Sequence, residues 1–313
     1  MMAGTSWGFK ITGVGSALPE KVLTNADLTA WMDTTDEWIK ERTGISERRI
    51  GGSTSGLATQ AAQRALSAAG VGPETIDQVI LATTSPDHVC PGTAPAVARE
   101  LGLECGAFDL QAACSGWVYG LIVANGLLLQ GMKRILVIGA ESLDRITDYH
   151  DRATGILFGN GAGAAVVEGD DTGQGQLLGW DLGANGNWVH ILYADHGDTL
   201  KMDGKEVFRQ AVSVIQRTVH ATLERAGLTV DDVDLVIPHQ ANVRIVESAW
   251  KKLGFSMDKT AMLLERTGNT SAASIPLTLD DALAHGRIEP GNLVLFVGFG
   301  AGMTWASALV RWA

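Results

Sequence analysis

The chain repeats itself, and no other feature narrows its possible folds as much. Ala69-Gly-Val-Gly-Pro-Glu-Thr-Ile-Asp-Gln-Val-Ile80 is echoed by Ala226-Gly-Leu-Thr-Val-Asp-Asp-Val-Asp-Leu-Val-Ile237. The apolar run Ile135 to Gly139 is echoed by Leu293 to Gly298, and Gly159-Asn-Gly-Ala-Gly-Ala-Ala-Val by Gly300-Ala-Gly-Met-Thr-Trp-Ala-Ser-Ala. A strand–helix module cannot bury its apolar face alone. Two copies predict an α/β fold with a pseudo-twofold axis and two mixed five-stranded sheets, with helices between and outside them in an αβαβα layering. A polar, flexible stretch from Gly169 to Gly175 marks the midpoint, so the halves are expected at residues 1–171 and 172–313. Equivalent element ends then converge near the axis, which is how residues far apart in sequence can share a site.

The short apolar run Gly106 to Leu110 reads as a buried strand, and the apolar segment from Ser115 to Leu129 as a buried helix. Cys114 stands at their junction. Free backbone N–H groups and the positive end of a helix dipole favour a thiolate there. The neighbours Ala112, Ala113, Ser115 and Gly116 are small and leave room for an acyl group to reach the sulfur. Most free cysteines only pack, so the cysteine alone does not establish a nucleophile. By position, its junction corresponds to that of Asn269 in the second half, in Gly268-Asn269-Thr-Ser. His239 follows a predicted strand at Val233 to Ile237. Taken singly, His239 is a packed histidine and Asn269 a turn residue. Taken together with Cys114 they form a nucleophile with two neutral hydrogen-bond donors.

Other patterns weigh less. Gly13-Val-Gly15 mimics a dinucleotide-binding turn but lacks a third glycine, and Pro19 interrupts where a helix would continue. Trp38 and Arg42 are four apart and share a helix face, an arrangement suited to an adenine and a phosphate or to a covered surface tryptophan. Asn25 and Thr34 or Thr35 are plausible helix caps. The loop histidines His190 and His196 have no clean partner set, so no metal site is expected.

Composition sets the compartment and the partners. The 313 residues carry a formal net charge of −11, and such a surface repels nucleic acid and anionic membrane. An apolar content of 46% with only 19% charged residues predicts a large core and a subunit interface. Three cysteines without framework spacing, Cys90, Cys105 and Cys114, fit a reducing compartment. The opening residues lack an apolar signal core, and no apolar run approaches the ~20 residues of a membrane span. A cytoplasmic protein is expected.

Six motifs in one order carry a resemblance. They are Asp36-Glu-Trp-Ile with Arg42-Thr-Gly-Ile, Ala113-Cys114-Ser-Gly, Phe158-Gly-Asn-Gly-Ala-Gly-Ala, Pro238-His239-Gln-Ala-Asn242, Gly268-Asn269-Thr-Ser-Ala-Ala-Ser and Gly300-Ala-Gly-Met-Thr-Trp. The chain resembles the thiolase-superfamily condensing enzymes, and among them the β-ketoacyl-ACP synthase III branch, over almost its whole length. The set Cys–His–Asn, in place of Cys–His–His, separates that branch from the elongating synthases.

The resemblance implies a homodimer that starts type II fatty acid synthesis with no cofactor beyond its substrates, acyl-CoA and malonyl-ACP. It implies Cys114, His239 and Asn269 as catalytic residues, with the N–H groups of Cys114 and Ala301 as oxyanion hole. Thr34, Trp38, Arg42, Arg152, Gly204 and Asn242 would contact CoA, with Arg152 on the opposite face of the adenine from Trp38. Phe158 and Cys90 would shape the acyl pocket. For the acidic carrier protein, the helical spacing of Arg244, Lys251 and Lys252, joined by Arg209, supplies a basic patch, which could also be a merely solvated face.

Two departures bear on specificity. Cys90 stands where relatives often carry an aromatic residue, in a loop that crosses the dimer to floor the partner's acyl pocket, so primers longer or bulkier than acetyl are expected. Arg152-Ala153 replaces a common Arg-Gly. Rival readings are a related condensing or acyl-transferring enzyme of polyketide or other secondary metabolism, a Cys–His–Asn thioester hydrolase, and a non-catalytic protein of the same ancestry.

Overall fold

The computed structural model describes residues 8–313. The opening residues read for a signal core lie outside that range, up to residue 7. The first half lays down β1 (Gly8–Ala17), α1 (Asp36–Thr43), α2 (Thr54–Ala69), β2 (Gln78–Ala82), β3 (Gly106–Leu110), α3 (Gly116–Leu129), β4 (Arg134–Glu141) and β5 (Gly161–Asp170). The second half follows with β6 (Gln176–Ala184), α4 (Gly204–Ala226), β7 (Leu235–Pro238), α5 (Val243–Leu253), α6 (Ser274–Ala284), β8 (Leu293–Gly300) and β9 (Thr304–Arg311).

The first sheet has the order β1-β5-β4-β2-β3. Its β4, β2 and β3 run parallel, while β5 is antiparallel to both of its neighbours. The second sheet has the order β7-β8-β9-β6, again with a parallel pair followed by antiparallel ones. The four strands of the second sheet follow the same order as β2-β4-β5-β1 of the first, as the internal repeat requires.

One expectation needs correction. The second sheet has four strands, not five. The outer position holds only an isolated bridge between Val236 and Thr260. The cause lies just downstream: the Gln240 side-chain oxygen accepts the N–H groups of Leu263 (2.6 Å) and Leu264 (2.8 Å) and draws the chain off the ladder.

The layers follow from where the apolar side chains point. Trp117, Val118, Leu121 and Ala124 of α3 and Ile275 and Leu279 of α6 are buried between the two sheets, against Ile80 and Val137 of one and Ile237 and Phe296 of the other. A helix apolar on nearly all sides, like α3, belongs in such a layer. Outside the first sheet lies α2, and outside the second lie α4 and α5. This is a thiolase-type αβαβα sandwich.

Local signals mostly behave as read, with one shift. The N-cap of the short Asn25–Leu28 helix is Thr24, whose side chain accepts from Asp27 N. Asn25 lies inside the helix, and its amide bonds Asp36 and the Ile45 carbonyl. Thr35, not Thr34, caps α1. The Gly183 to Asp198 stretch carries regular structure. It ends β6 and forms a 3-10 helix over Gly186–Ile191 and a two-residue strand Leu192–Tyr193.

Candidate active site

Between β3 and α3 the chain makes a 3-10 turn, Ala113–Ser115, with Cys114 at its centre. The turn is pinned from the other half. Thr304 Oγ1 donates to the Ala112 carbonyl at 2.9 Å, and the Ser115 hydroxyl lies 2.7 Å from that same carbonyl and 2.9 Å from Thr304 Oγ1. The end of β8 passes so close that a Cβ on Gly300 would stand 2.5 Å from Cys114 N. Only glycine permits this approach.

His239 follows β7 and is 1% exposed. Its Nδ1 lies 2.8 Å from Ser274 Oγ, and its ring meets Phe299 edge-on with 5.0 Å between centroids. Asn269 is fixed through its backbone to Leu157 and Gly159. Its side-chain oxygen accepts the Ser271 N–H at 2.9 Å, so the amide nitrogen faces the other way.

Cys114, His239 and Asn269, from three separate segments, line one cavity of about 570 Å³. Phe158, Trp38, Arg42, Arg152, Gly204 and Asn242 line it too. Trp38 is sandwiched between the guanidinium carbons of Arg42 at 4.6 Å and Arg152 at 4.7 Å. Asn242 caps α5 and donates to the Arg42 carbonyl at 2.8 Å, tying the tryptophan helix to the histidine strand.

Other expected site residues stand apart from the cavity. Thr34 and Ala301 do not line it, though Gly300 and Met303 do. Cys90 is exposed in the loop before residue 94. Of the basic patch, Arg244 reaches the cavity but Lys251 and Lys252 do not. Arg209 is held by Glu206 at 2.6 Å, so its charge is partly matched. Lys205 and Phe208 at the mouth and Phe299 beside the histidine escaped the sequence reading. Phe299 stood in a motif already quoted in part, and Lys205 adjoins Gly204, so both were within reach.

Electrostatics overturn one expectation. Burial pushes the Cys114 thiol up to about 12, with the Glu141 carboxyl adding to the rise and Ser271 and its own N–H opposing it. The turn's dipole does not outweigh desolvation by residues of both halves, so the resting nucleophile is a thiol. Burial drives His239 down to about 3, opposed only by a backbone contact with Ser271. The imidazole is therefore neutral at working pH.

The match to known proteins agrees with this geometry. Residues 108–186 match the family described as 3-oxoacyl-(acyl-carrier-protein) synthase III, and residues 223–312 its C-terminal counterpart. A beta-ketoacyl-(acyl-carrier-protein) synthase III of Erythrobacter litoralis is 49% identical, covering 96% of this chain and 98% of its own. The chain belongs to this family. It is thereby an acyl-transferring condensing enzyme of fatty acid biosynthesis.

Solved structures place the fold in the same group. The crystal structure of the Aquifex aeolicus synthase III aligns with a TM-score of 0.95 at 43% identity, over 97% of this chain and 100% of that one. The priming β-ketosynthase from the R1128 polyketide pathway aligns at 0.93 with 36% identity, over 100% of this chain and 98% of that one.

Proposed function

We propose that this synthase III condenses an acyl-CoA primer with malonyl-ACP in two half-reactions at one cavity. In the first, Cys114 attacks the acyl-CoA thioester. The C–S bond to Cys114 forms, the C–S bond to CoA breaks, and CoA leaves with the thiol proton. The Cys114 N–H holds the oxyanion, joined by the Ala301 N–H, whose residue stands outside the cavity lining but directly follows cavity-lining Gly300; one such donor is worth about 10²–10³ in rate. The thiol that burial holds protonated at rest gives up its proton only with the primer in place.

In the second half-reaction malonyl-ACP occupies the vacated channel. His239 and Asn269 donate to its thioester carbonyl as carbon dioxide leaves, and the resulting carbanion attacks the acyl-Cys114. The product is 3-oxoacyl-ACP. Loss of carbon dioxide needs a stabilised oxyanion, not a strong base, so neutral donors suit it. His239 Nδ1 lies 2.8 Å from the Ser274 hydroxyl, and the reaction calls for the tautomer in which that hydroxyl donates and the ring proton sits on Nε2. The observation that carries the reading is this pair of neutral donors, His239 and Asn269, lining one cavity with a cysteine. Phe158 and the apolar walls keep water from the acyl-enzyme.

The CoA end fits the cationic mouth. The adenine slides between Trp38 and Arg152, in the space Arg152 now fills, with Arg42 behind the ring and Gly204 along the wall, and Thr34 meets the nucleotide end outside the cavity. Arg244 and Lys205 receive the carrier protein's acidic face, with Lys251 and Lys252 further along α5 and Arg209 joining once released from Glu206. The scheme calls for no cofactor beyond the two thioesters. It operates in the cytoplasm. A second copy of the chain covers the free edge of β3, where Phe108 is 39% exposed, together with Val89 at 87% and Leu129 at 54%. The Cys90 loop then floors the partner's acyl pocket, and its small side chain admits primers longer or bulkier than acetyl. The full-length likeness to a polyketide priming ketosynthase keeps a second reading open, in which the same chemistry primes secondary metabolism.

Intact-protein mass spectrometry after exposure to acyl-CoAs of graded length tests this. The expected result is an adduct absent from Cys114→Ser, discharged only when malonyl-ACP is added, with the retained acyl length naming the primer. No adduct from any acyl-CoA, or discharge by water alone, overturns it.

A further inference from the structure

Glu141 ends β4 and is wholly buried, yet it forms no ion pair among the described residues. A buried carboxyl without a cation is costly and persists only where hydrogen bonds hold it. Burial pushes its pKa up, against the pull of those bonds.

The partners show what it holds. On its own half it accepts from Thr84 N at 3.0 Å, Thr83 Oγ1 at 3.2 Å and Ser85 Oγ at 2.5 Å. On the other half it accepts from Ala272 N at 3.4 Å. That N–H belongs to the Ser271–Ala273 turn, where Ser271 holds the left-handed φ of 46°. The strand backbone lies directly against the same turn, since a Cβ on Gly139 would stand 2.2 Å from the Ala272 carbonyl oxygen. Ser271 N–H fixes the Asn269 amide at 2.9 Å, and Ser274, one turn on, contacts His239 Nδ1 at 2.8 Å.

We infer that Glu141 is a positioning residue for the malonyl half-reaction, anchoring across the pseudo-twofold axis the turn that aims Asn269 and His239. The inference rests on the functional reading above. It separates the two half-reactions by degree: Thr304 and Ser115 pin the Cys114 turn, so acylation, which meets the anchor only through Ser271 and the Glu141 charge at the thiol, is the less affected step.

The test measures Cys114 acylation by acyl-CoA and discharge by malonyl-ACP separately, in wild type, Glu141→Ala and Glu141→Gln. In Glu141→Ala, discharge is expected to slow at least tenfold with acylation within about threefold. Glu141→Gln keeps an acceptor for Ala272 N and Thr84 N, and should hold both steps within about threefold. If Glu141→Ala does not fold, Glu141→Gln still decides, because a tenfold loss in both of its steps would overturn the anchor. So would equal losses in the two half-reactions of Glu141→Ala, or unchanged discharge. A wild type that never acquires or never discharges an acyl group would refute the functional reading and this inference together. A working wild type beside a working Glu141→Ala refutes the inference alone.

Discussion

Ala113 and Ser271 adopt the same left-handed backbone, φ 46° in each, one residue into corresponding turns of the two halves. Neither is glycine, and a non-glycine residue held there costs of order 1–3 kcal/mol. The two strained turns therefore survive as copies of one device. The first carries Cys114 at its centre. The second places Ala272 at that position and displays Asn269 two residues ahead of Ser271. Duplication thus brings a cysteine from one turn and an asparagine from its counterpart to one cavity.

The resting thiol gives the first prediction. With Cys114 raised from 9.0 to about 12, the thiolate fraction grows about tenfold per pH unit throughout pH 7 to 10. Alkylation of Cys114 by iodoacetamide, followed by peptide mass spectrometry, should climb log-linearly over that span without a plateau. A Cys114 plateau below pH 8 would mean that the turn dipole prevails over burial after all.

His239 gives a stability signature of defined sign. Its pKa falls from 6.5 to about 3 on folding. Above pH 6.5 both states are neutral and the group adds no pH dependence. Between 6.5 and 3 the unfolded chain binds a proton that the native one does not, so stability declines as pH falls, at up to about 1.4 kcal/mol per pH unit. Urea unfolding of wild type and His239→Asn from pH 7 to 4 should differ in slope by about one proton. His239→Asn should also acylate Cys114 within a few-fold of wild type and slow discharge by malonyl-ACP about a hundredfold or more. Parallel stability curves would show that the histidine is already charged in the native state.

Much of this was legible because motifs and periodicity are local. The duplicated Gly-Val-Gly-Pro and Gly-Leu-Thr-Val segments announced the two halves, and the neighbourhoods of Cys114, His239 and Asn269 announced the trio. What escaped is set by contacts between distant segments. Burial of the Cys114 thiol raises its pKa, which a helix-dipole argument on one junction cannot see. The missing fifth strand depends on one side chain, Gln240, capturing two backbone N–H groups more than twenty positions away. Glu141 ends an apolar strand and looks, in sequence, like the first surface residue beyond it. Arg209 looks free for a partner in a count of basic residues, yet its i−3 neighbour Glu206 pairs with it.

On the proposed function, Trp38 separates the CoA end from the chemistry. Its ring is stacked by Arg42 and Arg152, so Trp38→Ala removes a platform and loosens both cations. Loss of about 1.4 kcal/mol corresponds to a tenfold weaker complex. The KM for acyl-CoA should rise about tenfold, while an acyl-enzyme formed at saturating primer should discharge onto malonyl-ACP at the wild-type rate. Stopped acylation assays over a primer series measure the first, and a chase measures the second. A Trp38→Ala enzyme with unchanged KM would remove the tryptophan from the nucleotide site and leave it as a covered surface residue.

Gly300 tests how tightly the two halves must meet at the nucleophile. A methyl group there would fall 2.5 Å from Cys114 N and 2.9 Å from the Ala113 Cβ, closer than real Cβ atoms approach. Neither neighbour is the tip of a flexible side chain. The turn must therefore move, and overpacking of this kind costs about 1–3 kcal/mol. Moving it displaces the Cys114 N–H from the oxyanion position, where one donor is worth about 10²–10³ in rate. Gly300→Ala should lower Tm by several degrees and cut Cys114 acylation at least a hundredfold, whereas Gly169→Ala, at an open site with an ordinary backbone, should leave acylation unchanged. Thermal unfolding and a single-turnover acylation assay on the two variants check this. Full acylation by a stably folded Gly300→Ala would show that the turn has slack and that its N–H is not held against β8.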